Sequence, residues 1–110
     1  MGIRNYKERD ATIVVVTGRM GEVSAPEFEE KVFQLIKEGD TKFVVDLAGL
    51  EYISSAGLRS LLAIAKHLKE KNGQIVLSGL TGAVQDVFRV SQFISIFTVF
   101  ESVEDALEEI

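Results

Sequence analysis

The chain has 110 residues, 46% hydrophobic and 26% charged, which fits one folded domain spanning residues 1–110 and excludes disorder, a fibrous repeat and a two-domain enzyme. It has no Cys and a single His, so disulfides, thiolate chemistry and Cys-ligated metal centres are excluded, and neither a metal nor a cofactor is expected. Twelve Lys and Arg stand against seventeen Asp and Glu, but Glu101, Glu104, Asp105, Glu108 and Glu109 fall in the last ten residues, so the rest of the chain is neutral and offers no basic footprint to a nucleic acid. The longest apolar run, residues 13–16, falls far short of the roughly 20 residues a membrane helix needs. The first six residues lack the apolar core of a signal peptide, which makes the cytoplasm the expected compartment.

Taken in chain order, residues 3–9 space Ile3 and Tyr6 among charges, as an edge strand does before turning through Asp10. Residues 12–17 are short, β-branched and closed by Gly18, the signature of a strand buried on both faces. Ser24-Ala25-Pro26-Glu27 reads as a capping box with Pro in the first turn, and Phe28, Val32, Leu35 and Ile36 then recur at helical spacing until Gly39. A third strand is expected over residues 43–47.

The strongest helix is expected over residues 56–71, with Leu58, Leu61, Leu62, Ala65 and Leu68 on one stripe and Asn72-Gly73 as its stop. A strand over 75–78 and a short helix over 82–90, burying Val84, Val87 and Phe88, come next. Residues 96–100 read as a last strand. A helix behind Ser102 then turns Val103, Ala106, Leu107 and Ile110 inward. Strand–helix–strand crossovers demand parallel neighbours, so the fold class is α/β: a mixed, mostly parallel sheet of about five strands with four helices.

In such a sheet, sites gather where loops leave the carboxyl ends of strands. Three loops are expected there: residues 18–24, residues 48–55, and residues 79–82. The second ends in Ser54-Ser55-Ala56-Gly57 at the start of the long helix. One hydroxyl there has a structural use, accepting a backbone N–H as a helix cap worth about 1 kcal/mol. A hydroxyl at a helix N-terminus is also a favourable place for a phosphate, and Ala56 and Gly57 leave room for a kinase to approach. The remaining candidates have plainer uses: Asp46 accepts loop N–H groups, His67 lies twelve positions beyond Ser55, too distant for a triad, and is expected to be a solvated neighbour of Lys66, and Gly79 to Gly82 is a strand-to-helix turn lacking a nucleotide-loop pattern.

The run Asp46-Leu47-Ala48-Gly49-Leu50-Glu51-Tyr52-Ile53-Ser54-Ser55-Ala56-Gly57-Leu58-Arg59-Ser60-Leu61-Leu62 resembles the signature of bacterial anti-sigma factor antagonists, which are STAS domains. Val16-Thr17-Gly18-Arg19-Met20 and Gly73-Gln74-Ile75-Val76-Leu77 extend the likeness over nearly the whole chain. The resemblance implies a non-enzymatic STAS domain that binds an ATP-using serine kinase, itself the anti-sigma factor, and lets go once phosphorylated, regulating transcription indirectly. Matching on Gly57-Leu58 makes Ser55 the phosphorylated residue, with Ala56 in place of a second hydroxyl. Two acidic positions of the pattern are Ser54 and Gly21 here, which bears on the kinase contacts rather than on the fold.

The expected docking surface comprises Arg19, Met20, Gly21, Val23, Ser54, Ser55, Ala56, Gly57 and Arg59, with no catalytic residue, on a monomer or weak dimer. The alternatives are a module of the same fold in another signalling assembly and a small α/β enzyme or ligand carrier using the same sheet edge.

Overall fold

The structure is a computed structural model describing residues 1–110, and its elements follow the predicted order. They are β1 (Gly2–Glu8), β2 (Ala11–Met20), α1 (Ser24–Lys37), β3 (Lys42–Ile53), α2 (Ser55–Glu70), β4 (Gln74–Ser78), α3 (Gly82–Val90), β5 (Val99–Phe100) and α4 (Val103–Glu109). Strands lie side by side in chain order, with β1 antiparallel to β2 and every other pair parallel. The mixed, mostly parallel five-stranded sheet with four helices is the expected architecture.

The β1–β2 hairpin closes through two residues, Arg9 (φ 53°) and Asp10 (φ 74°), whose left-handed backbone matches the twist of the strands. Lys7 on β1 pairs with Asp40, which also accepts the Thr12 hydroxyl at 2.9 Å, so the loop after α1 is tied to the hairpin.

Each face of the sheet has its own core. Val14, Val16, Phe43, Val45, Leu47 and Leu77 face α1, α2 and α3, which answer with Phe28, Val32, Leu61, Ile64 and Phe88. Ile13, Val15, Val44 and Val76 face the other way, toward Ala106 and Leu107 of α4. Helices on both faces are why the central strands read as unbroken apolar runs.

Five local expectations are corrected. Ser24 caps nothing: its hydroxyl accepts the Gly21 N–H at 2.9 Å and donates to the Arg19 carbonyl at 3.1 Å, while Val23 stands at the N-cap without a side-chain bond. The Ala25 N–H already donates to the Gly21 carbonyl, so the first turn is wound before the predicted capping box begins. On α2, Leu62 is only half-buried, and Ile64 joins Leu58, Leu61 and Leu68 in the core instead. His67 is not a solvated neighbour of Lys66 but packs edge-on against Phe33 of α1, ring centroids 5.0 Å apart.

The last strand is short. Residues 93–95 form a 3-10 turn, Ile96 is exposed, and only Val99 and Phe100 pair with β4. Gly18 does not end β2. It takes φ 86° at an irregularity in the β2–β3 pairing, and the strand continues to Met20.

Candidate functional site

Most of the second expected loop, and the first three residues of the first, are strand. β2 and β3 run past the end of β4 as a parallel two-stranded arm, in which Thr17 pairs with Gly49, Gly18 with Leu50, Arg19 with Tyr52 and Met20 with Ile53. Two register shifts interrupt the ladder, between Val15 and Thr17 and between Gly18 and Arg19, and in both the additional residue lies on β3. Bulges of this kind re-aim side chains. The second leaves Glu51 unpaired and brings Tyr52 beside Arg19, whose guanidinium lies over the phenol ring at 4.3 Å.

Tyr52 was not among the expected site residues. No sequence signal could have found it, because which residue faces Arg19 is decided by a one-residue offset.

The end of the arm is held by its buried side chains. Met20 is fully buried, Leu50 and Ile53 nearly so, and the Ser54 N–H donates to the Met20 carbonyl at 2.9 Å. The expectation that Met20 docks a partner is therefore corrected: as the last residue of β2 it packs inward with Ile53 and the start of α2. Gly57 is likewise buried. A Cβ there would lie 2.6 Å from Ile53 Cγ1 and 3.0 Å from Met20 Sδ, so the absence of a side chain lets α2 approach the arm, and Gly57 serves packing rather than contact with a partner.

The two serines separate cleanly. Ser54 has extended backbone (φ −91°, ψ 173°) and accepts the Gly57 N–H on its hydroxyl at 3.3 Å, so it is the N-cap of α2 and is buried. Ser55 is the first helical residue and is exposed; its hydroxyl makes no hydrogen bond within the protein. One turn later, Arg59 is exposed on α2, and Ala56 is half-buried between them. The first turn of α2 carries no acidic residue, whereas α1 and α4 have Glu27, and Glu104 with Asp105. The positive end of the helix dipole at Ser55 is thus left without a carboxylate.

On the elements that meet at the end of the arm, Arg19 and Tyr52 on the arm, Glu22 and Val23 in the turn leading to α1, and Ser55 and Arg59 on α2 are exposed, while Gly21 is half-buried. Val23 is 92% exposed, an apolar side chain with no burial in this chain. Asp46 is used internally, accepting the Ala48 N–H at 3.0 Å. No group of His, Asp and Glu side chains is placed to hold a metal, and no helix is long and apolar enough to cross a membrane.

The STAS domain family model matches residues 3–106. BtrV of Bordetella bronchiseptica, described as an anti-sigma factor antagonist, is 39% identical over 94 residues, covering 86% of this chain and 81% of BtrV. Among solved structures, an anti-sigma factor antagonist from Thermotoga maritima superposes with a TM-score of 0.92 at 21% identity, over 98% of this chain and 93% of that one. The anti-sigma factor antagonist SpoIIAA superposes in its unphosphorylated form with a TM-score of 0.83 at 17% identity, over 97% of this chain and 94% of that one. In its phosphorylated form the TM-score is 0.76 at 16% identity, over 97% of each chain.

Proposed function

The chain belongs to the STAS domain family, and on that premise we propose that it is an anti-sigma factor antagonist of the cytoplasm, switched by phosphorylation of Ser55 and catalysing no reaction itself. The observation that carries the reading is the division of labour between the serines: Ser54 caps α2, and the Ser55 hydroxyl stays free on the surface. BtrV supports it by its description as an anti-sigma factor antagonist, and SpoIIAA by having both an unphosphorylated and a phosphorylated form.

The partner is an ATP-using serine kinase that is also the anti-sigma factor. It docks on Arg19, Tyr52 and Val23 beside Ser55, where an apolar side chain and a cation stacked on an aromatic ring supply a small interface. Transfer of the γ-phosphoryl group forms the Oγ–P bond of phosphoserine, releases ADP and leaves the serine proton to a kinase base or to water. The product brings roughly −1.5 to −2 charges onto the docking face. A dianion there must be desolvated beside the kinase and its own anionic nucleotide, and the complex comes apart. The helix N-terminus tolerates the same charge, so the domain stays folded while its affinity falls.

The test is affinity capture with the unmodified protein from an extract of its native host, followed by ATP addition and phosphosite mapping. A kinase is expected in the captured fraction, with phosphate on Ser55. Phosphate on Ser54, or on a Ser55→Ala protein, would refute the assignment. Ser55→Ala is expected to hold the kinase irrespective of ATP, and Ser55→Glu to bind it weakly.

A further inference from the structure

On the reading that Ser55 is the modified residue, we infer that Arg59 is the internal counter-ion of the phosphate, so that phosphorylation both adds a dianion to the docking face and withdraws a cation from it. Ser55 and Arg59 are both exposed and stand four residues apart on α2. Residues at that spacing share one face of a helix, with about 5–6 Å between their Cβ atoms. Helical side chains also lean toward the N-terminus, so the long Arg59 side chain can reach over the turn that contains Ser55.

Arg59 is available for the task. The protein has two ion pairs, Lys7 with Asp40 and Arg89 with Asp86, and Arg59 is in neither. The other charged side chains of the elements meeting near Ser55 are Arg19 on β2, Glu22 and Glu27 at the start of α1, and Glu51 on β3. Arg19 already lies over the Tyr52 ring at 4.3 Å, while Glu22, Glu27 and Glu51 would repel a phosphate rather than hold it. Arg59 is therefore the cation with both the spacing and the freedom to answer the new charge, and its planar fork can donate two N–H groups to phosphate oxygens.

Before modification, the guanidinium is free to meet an acidic group on the kinase. Afterwards it is folded back on its own helix. Arg59 is a positioning residue for the phosphate, and the phosphorylated domain is a partly self-neutralised state.

The experiment installs phosphoserine at position 55 of the full chain by genetic code expansion, which needs no kinase, and follows the 31P resonance through a pH titration. A phosphoserine loses its second proton near pH 6. With Arg59 present the midpoint is expected about half a pH unit lower than in Arg59→Gln, a roughly threefold change in proton affinity. Arg59→Lys, which keeps the charge and loses the fork, is expected between the two, and Arg19→Gln is expected to match the wild type.

Equal midpoints in wild type and Arg59→Gln would overturn the inference, as would a shift seen with Arg19→Gln in place of Arg59→Gln. Because the phosphate is placed genetically, this result is independent of the serine a kinase selects. Phosphate mapped to Ser54 defeats the proposed switch, whereas equal midpoints defeat only the counter-ion.

Discussion

The two halves of the β2–β3 pair are built from the same two strands and behave differently. In the inner half, residues 12–16 beside 43–47, every residue is buried except the half-buried Asp46. In the outer half, residues 17–20 beside 48–53, only Met20, Leu50 and Ile53 are buried, and Arg19, Glu51 and Tyr52 face solvent. The inner half is covered by helices on both faces, whereas the outer half rests on α2 through its buried residues and leaves the rest free. An exposed surface can thus stand on core residues of its own element, so its neighbours in sequence are no guide to which of its side chains face solvent.

Met20→Asp is the severest test of that contrast. It places a carboxylate at a fully buried position with no cation to meet it, at a cost of several kcal/mol against the 5–15 kcal/mol typical of a domain's whole stability. Loss of the folded near-ultraviolet signal is expected. A folded Met20→Asp protein would mean that the outer half is not anchored in the core.

Phe43→Ala probes the inner half and is expected to lower stability by about 3–5 kcal/mol in urea unfolding, because a fully buried ring leaves a cavity between sheet and helices. A cost under about 1 kcal/mol would remove the distinction between the halves.

Ser54→Ala is expected to cost about 1 kcal/mol by taking the cap from α2, while leaving Ser55 a substrate for the kinase. Tyr52→Ala comes next, at roughly 0.5–1 kcal/mol for the stacked guanidinium. The kinase affinity of Tyr52→Ala should drop more than its melting temperature does, and calorimetry beside a binding isotherm separates the two.

The smallest stability effects belong to Ser55→Ala and Val23→Asp, both within about 0.5 kcal/mol of wild type because neither side chain has a partner in the fold. Under the proposed function their effect is expected on recognition instead: Val23→Asp is expected to weaken capture of the kinase, and Ser55→Ala to make it insensitive to ATP. A Val23→Asp protein that bound at full strength would take the turn before α1 out of the docking surface.

Much of the architecture was legible in the order of the periodic segments. Runs such as residues 12–16 and 43–47 have to be strands buried on both faces, and Asn72-Gly73 stops α2 with Asn72 in the left-handed conformation and the Gly73 N–H bonded back to the Leu68 carbonyl. Those features depend on neighbours within a few residues, which the sequence displays directly. The Ser54-Ser55 pair was legible as a helix start, but not which hydroxyl caps it, since that depends on where Ile53 leaves the sheet.

The amino-acid order by itself determined the element types, the parallel crossovers and a serine pair at the head of a helix, because each is set by local spacing and by the handedness of short connections. Tertiary structure alone decided that Gly18 bends β2 rather than ending it, that Met20 turns inward, and that Arg19 meets Tyr52 instead of Glu51. The physical reason is register: successive side chains of a strand point to opposite faces, so a single bulged residue on β3 reassigns which of them is core and which is surface, and a bulge forms only when two strands distant in sequence are laid side by side.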